Sequence, residues 1–190
     1  MSIFQSFVGI DYSITGPACC VFDGGEYHFL AFQGVKKVVD KFSVDKYHFD
    51  IRLSETDYKN NIERYAKTSK AFLDFIEDKS RGRVVTGFEG YALNATGKTF
   101  NIAEATQTLK IRLYNSKNVD FHLDSPSPGS VKITATGKGN SGKHAMVDAF
   151  TSKTGINLLT HIPKNYKSDS PISDIADAFW VMETLRKIYD

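Results

Sequence analysis

The chain has 190 residues, of which 41% are hydrophobic and 13% aromatic, and its formal net charge is +2. This length predicts one domain over residues 1–190 with a sizeable core, and this composition excludes a disordered chain. No apolar run approaches membrane-spanning length and the first residues lack the basic n-region of a signal peptide, so a soluble, cytoplasmic protein with no membrane partner is expected.

In chain order, Phe7–Asp11 reads as a first strand. Ala18–Asp23 follows as a second strand after the turn Ile14-Thr15-Gly16-Pro17. Gly24-Gly25 then predicts a tight hairpin into Tyr27–Phe32. Cys19 and Cys20 are the only cysteines; adjacency makes a disulfide between them awkward, so both are expected to pack as small hydrophobes in a reducing compartment. Residues 33–56 mix charges and aromatics without a clear period and read as an irregular insert. From Thr56 the pattern turns helical, with Tyr58, Ile62, Tyr65, Ala66, Ser69, Phe72, Leu73 and Ile76 at spacings of three and four. Ser80-Arg81-Gly82 ends that helix before a strand at Val84–Glu89.

A second helix is predicted over Thr99–Asn115, with Ile102, Ala105, Leu109 and Leu113 on one stripe that suits either a core or a subunit interface. Val119–Leu123 is the fifth strand, and Ser125-Pro126-Ser127-Pro128-Gly129 breaks the chain. Val131–Thr136 reads equally as a β-branched strand or a short helix. His144–Thr154 and Ile172–Tyr189 are predicted helices, the latter with Ser170 as N-cap and Pro171 at its first position. The sum is an α/β domain with a five-stranded mixed sheet, three antiparallel strands followed by parallel ones, flanked by helices.

Charge is unevenly placed along the chain. Residues 129–168 hold six lysines against the single acid Asp148, whereas residues 1–56 hold five basic residues and seven acidic ones. A basic segment opposed to an acidic one is the distribution that a phosphodiester substrate would require.

Four carboxylates carry the chemistry. Asp11 and Glu89 each end an apolar run of strand length, where a strand delivers its last side chain to a sheet edge. Asp174 and Asp177 are three apart in a helical stretch and so share a helix face. Singly, Asp11 suits a turn and Asp174 the dipole of a first helical turn. Asp177 lies too deep for that account. Acids gathered by a fold repel one another unless a positive charge sits between them, and hard divalent cations prefer such oxygen ligands. The pattern therefore points to a metal-dependent enzyme acting on phosphates.

Two nucleotide-binding readings fail on their own residues. Gly137-Lys138-Gly139-Asn140-Ser141-Gly142-Lys143-His144 matches the phosphate loop G-x-x-x-x-G-K-[ST] except at the last position, where His144 replaces the hydroxyl that ligates magnesium. Asp11-Tyr12-Ser13-Ile14-Thr15 is similar to the D-x-G-x-T loop of the actin and sugar-kinase ATPases, which need two lobes where this chain has room for one. No nucleoside triphosphate is expected as a ligand.

The order of an Asp ending the first strand (Asp11), a Glu ending the fourth (Glu89) and D-x-x-D-A opening the last helix (Asp174, Asp177, Ala178) resembles the RuvC-type Holliday junction resolvases of the ribonuclease H-like nuclease superfamily. Val131-Lys132 with Gly137-x-Gly139-x-x-x-Lys143 is similar to the V-K…G-x-G-x-x-x-K segment of RuvC proteins. The similarity runs from Phe7 to about Leu185. Residues 33–56 and the loop Asn94–Lys98 are longer than in the bacterial enzymes, and the aromatic expected after the strand-four Glu is Tyr91, at an unusual offset. These departures suit a divergent, phage-encoded member.

The resemblance implies a Mg²⁺-dependent endodeoxyribonuclease that nicks four-way DNA junctions and leaves 5′-phosphate and 3′-hydroxyl ends. It implies Asp11, Glu89, Asp174 and Asp177 as catalytic ligands of two Mg²⁺ ions, with Mn²⁺ substituting. Lys143 would be the catalytic cation; Lys132, Lys138, Lys143 and Tyr91 would contact DNA, and Ser13 would assist at the metals. Two symmetric nicks imply a homodimer. The alternatives are a ribonuclease H-like nuclease acting on flaps or RNA–DNA hybrids, a junction-binding module without catalysis, and a nucleotide hydrolase built on Gly137–Lys143.

Overall fold

The computed structural model of the chain describes residues 3–34, 41–54, 58–89, 98–162 and 169–190. Strands β1 (Ser6–Asp11), β2 (Ala18–Asp23) and β3 (Glu26–Gln33) form an antiparallel meander. Gly24 and Gly25 join β2 to β3 with φ of 57° and 93°, the left-handed backbone that a two-residue hairpin demands.

The region expected to be an irregular insert holds a further hairpin. β4 (Lys41–Val44) and β5 (Tyr47–Leu53) pair antiparallel across a turn in which Asp45 takes φ 50°. β5 then joins β3 in parallel register, His28 opposite His48 and Phe29 opposite Phe49. The sheet therefore has seven strands rather than five, in the order β4-β5-β3-β2-β1-β6-β7. The signal was the alternation Tyr47-His48-Phe49-Asp50-Ile51-Arg52, whose odd members are buried while His48 and Arg52 stay half-exposed. Charged residues in the even positions masked it. Asp50 is buried too, but Arg52 Nη2 pairs with it at 2.8 Å.

On the other side of β1 lies β6 (Arg83–Phe88), parallel to it, and then β7 (Asp120–Asp124), parallel to β6. Helix α1 (Asn61–Lys79) connects β5 to β6, and α2 (Lys98–Tyr114) lies between β6 and β7. The side chain of Asn60 accepts from Glu63 N at 2.9 Å while Glu63 accepts from Lys59 N, so α1 begins with a reciprocal cap. Ile62, placed on the predicted stripe, is 78% exposed because the helix starts at Asn61 and turns its first residues to solvent.

After β7 come α3 (Pro128–Thr136), α4 (Lys143–Thr154), a 3₁₀ turn at Leu158–Thr160 and α5 (Ile172–Tyr189). The segment that read as strand or helix is helical for a local reason. Ser127 caps it by accepting from Ser130 N, Pro128 opens it, and Gly137 closes it at φ 78°.

Alternation along the strands divides the interior in two. Phe7, Phe29, Phe49 and Ile51 face α4 and α5, whereas Val8, Ile10, Val21 and Leu30 face α1 and α2. Ala105, Leu109 and Leu113 of α2 are at most 4% exposed and belong to the second core, so that stripe packs within the protomer and is no subunit interface. Cys19 and Cys20 are both buried and free, and burial pushes the Cys19 thiol up to about 12. Among the described residues no helix is long and apolar enough to cross a membrane.

Candidate active site

Period-two alternation puts Gly9 and Asp11 of β1, and Gly87 of β6 with Glu89 just beyond it, on the side of the sheet that faces α5. β1 and β6 are in register through Ile10 opposite Phe88, and Glu89 N donates to Ile10 O at 3.2 Å, so Asp11 and Glu89 emerge side by side at the sheet edge. Gly9 lies directly opposite Gly87 in that register. A Cβ on Gly9 would overlap the Ala178 carbonyl oxygen and the Met182 backbone nitrogen, and one on Gly87 would stand 2.7 Å from Leu185 Cδ1. The two glycines let the backbone of α5 lie on the strands themselves. Asp174 and Asp177, within a turn of Ala178, are thereby carried to the end of β1 where Asp11 stands.

The loop after β1 closes the arrangement. A Cβ on Gly16 would overlap Ser170 Oγ and stand 2.8 Å from Asp174 Oδ2, so only glycine lets this turn approach α5. Ser13 Oγ accepts from Gly16 N at 3.1 Å, which makes Ser13 a brace of this turn. Ser170 was expected to cap α5 with Pro171 at the first helical position, but Pro171 itself occupies the cap, without a side-chain bond. The Ser170 hydroxyl donates instead to Asp174 Oδ2, and Ser173 Oγ donates to Asp174 Oδ1 at 3.4 Å.

The electrostatics of the four acids are those of a crowded, partly dehydrated cluster. Burial holds Asp11 well above the usual carboxylate range, and the charges of Asp174, Asp177 and Glu89 push it further; Lys143 pulls it down. Asp177 is raised to about 7, by burial first and then by Glu89, with Lys143 again opposing. Burial also raises Glu89, against Lys132 and Lys143, and raises Asp174, against Ser170 and Lys143. Raised pKa values at all four acids favour proton uptake over four bare charges.

The two lysines come from the basic segment. Lys132 is half-buried on α3 and Lys143 is the first residue of α4. The loop between them is clipped by Thr136, whose Oγ1 accepts from Lys138 N at 3.2 Å and meets Ser141 Oγ at 2.6 Å. Lys138 is exposed in this loop, and the strongest cationic effects on the four acids come from Lys132 and Lys143. Trp180 Nε1 donates to Met146 O at 3.0 Å and ties α5 to α4 three residues beyond Lys143. The lysine of the apparent phosphate loop thus faces carboxylates, which leaves the nucleotide-hydrolase reading without its cation. Tyr91, Lys164, Lys167 and residues 94–97 lie outside the described residues.

Among the described residues no three His, Cys, Asp or Glu side chains are drawn together tightly enough to hold an ion. The donor set nevertheless fits a hard cation. It consists of oxygen ligands whose crowding and burial favour protonation, and a bound cation would compete with those protons. Sequence reasoning missed Gly9, Gly16, Gly87 and Ser170. The glycines were legible, since a glycine inside a strand run marks close approach of another backbone; Ser170 was not, because its bond depends on where the β1–β2 turn comes to rest.

No protein-family model matches the sequence, and no curated protein matches it significantly. Solved structures do. The chain superposes on Thermus thermophilus RuvC with a TM-score of 0.60 at 13% identity, over 97% of this chain and 96% of that one. The fold is that of RuvC. T. thermophilus RuvC in complex with a Holliday junction substrate gives 0.58 at 16% identity, over 95% of this chain and 92% of the other. The yeast mitochondrial Holliday junction resolvase Ydc2 gives 0.58 at 17%, over 96% and 78%. The likeness covers nearly the whole of this chain and identifies its fold as ribonuclease H-like, with a mixed sheet of seven strands.

Proposed function

We propose that the chain is a divalent-metal-dependent endonuclease that nicks four-way DNA junctions, acting as a single nuclease domain over residues 1–190. One observation carries this reading: four acids from three distant segments gather at one sheet edge, each held above its ordinary pKa first by burial, and Lys143 opposes all four. The likeness to RuvC bound to a Holliday junction supports the choice of substrate.

Asp11, Glu89, Asp174 and Asp177 would hold the metal, Mg²⁺ or Mn²⁺. Bound there, a pair of such ions would lower the pKa of a water and neutralise charge on the leaving 3′-oxygen. The chain's own groups do the rest. Ser170 holds one oxygen of Asp174 and so fixes the direction of the other; Lys143 meets the negative charge of the phosphate; Lys132 and Lys138 follow the DNA backbone. The products are 5′-phosphate and 3′-hydroxyl ends, and paired nicks on a two-fold junction call for a homodimer.

A labelled four-way junction tests this directly, beside three-way, flap and RNA–DNA hybrid substrates, with and without Mg²⁺. Mg²⁺-dependent nicking of the four-way junction, abolished in Asp177→Asn while junction binding persists, is the expected result. Nicking retained by Asp177→Asn removes the metal assignment, and a preference for hybrids or flaps moves the chain to another ribonuclease H-like activity.

A further inference from the structure

On the face of the sheet away from α5, a cavity of about 160 Å³ opens beside the carboxylates. Ile10, Tyr12, Phe88 and Ile102 give it largely apolar walls, Ser13 and Thr106 add hydroxyls, and Asp11 and Glu89 complete its lining. Ile102, Thr106 and Lys110 recur at intervals of four, so they form one stripe of α2 turned toward the end of β6. Lys110 Nζ stands 4.9 Å from the centre of the Phe88 ring, half-buried, and burial lowers its pKa.

We infer that this cavity is a nucleobase pocket, which receives one unstacked base of a nucleotide flanking the scissile phosphate. The inference rests on the nuclease reading above and assigns a part of the substrate to a part of the molecule. Three features select a base. The cavity is far below the roughly 300–1,000 Å³ that accommodates a drug-sized ligand, yet it has room for a single heterocycle. Its walls are two aromatic rings and two isoleucines, which suit the face of a base rather than a sugar or a phosphate. The hydroxyls of Thr106 and Ser13 supply hydrogen-bond donors in the same lining, where a base presents its edge. Because Asp11 and Glu89 line the same cavity, a strand that crosses the sheet edge with its phosphate over these acids carries an adjacent base to the α2 side.

The site should therefore discriminate between bases at one flanking position. Junctions carrying each of the four bases, or an abasic sugar, on either side of the cleaved bond are cut by wild type, Thr106→Val and Ile102→Trp, and junction binding is followed by gel shift. We expect about a tenfold spread of rates among the bases at one position, at least an equal loss with the abasic sugar, and collapse of the spread in Thr106→Val. A fluorescent adenine analogue at that position should change its emission on binding without divalent metal, and Ile102→Trp should remove the change. If junctions are bound and cut but an abasic sugar is tolerated at both positions, or the spread is unaltered in both variants, the pocket assignment is wrong while the nuclease reading stands. If wild type neither binds nor nicks junctions, both fall.

Discussion

The raised pKa values of the four acids make the stability of the protein depend on pH, with a definite sign. Asp177 titrates near 7 in the fold against an ordinary value of 3.8, and Asp11, Glu89 and Asp174 are raised as well. Raised carboxyls bind protons in the folded state that the unfolded chain has already released, so stability falls as pH rises through that interval. In the presence of EDTA, Tm should decline between about pH 4 and pH 7, and Asp177→Asn should flatten the decline. Added Mg²⁺ should restore Tm at neutral pH. A pH-independent Tm in EDTA would show that the acids do not interact. Lys143 opposes all four acids, and removal of a cation aimed at developing charge costs about 10²–10³ in rate. Lys143→Ala should thus lower kcat far more than junction affinity; equal losses in both would leave Lys143 a binding residue only.

At the scale of elements, α5 is the part that makes the site, since it carries two of the acids and rests on β1 without an intervening side chain. Replacing Gly9 by Ala pushes a methyl group into the α5 backbone, where neither partner is a flexible side chain that could give way. Overpacking of this kind should cost about 3 kcal/mol or more, and for a chain of this size Tm should fall by roughly 10 °C. A Gly9→Ala protein that melts like wild type would contradict the close approach. Element by element, the sequence was informative where pattern and local chemistry agreed. β2 and α5 have the predicted bounds because an apolar run and its flanking turns coincide, and Asp11, Glu89, Asp174 and Asp177 were all visible as strand ends and a helix face. It was silent on β4 and β5, where charged residues occupy the outward positions of a strand. It was undecided on α3, where β-branched residues favour a strand and Ser127-Pro128 a helix start. The placement of Ser170 could not be read at all, since its partner lies on the same helix but its orientation is set by Gly16, 154 residues earlier.

For the whole molecule, the near-neutral total charge conceals a division that bears on DNA binding. The basic segment meets the four acids at the C-terminal edge of β1 and β6, so a DNA strand held there exchanges phosphate counterions for the basic segment. Junction affinity should fall roughly a thousandfold between about 50 and 200 mM salt if six or more phosphates are engaged. A shallow salt slope would indicate recognition without the basic segment. Light scattering of the junction complex should give two protomers per junction, and a single protomer would exclude symmetric nicking by a dimer. The hairpin β4–β5 extends the sheet at the edge farthest from β7, and its inner strand β5 lies three strands from β1, which carries Asp11. It adds the stacked pair Phe29–Phe49 at 4.5 Å, and its contribution is to the core rather than to the acids.

The hydrogen bond from Trp180 to Met146 has a practical consequence. Trp180 is the sole tryptophan of the chain, is buried, and lies one turn beyond Asp177. Its indole touches the helix that begins with Lys143, so the two charged halves of the site share one optical probe. Intrinsic emission excited at the tryptophan band should therefore track metal loading and junction capture in unlabelled protein, with Asp177→Asn losing the metal response and keeping the junction response.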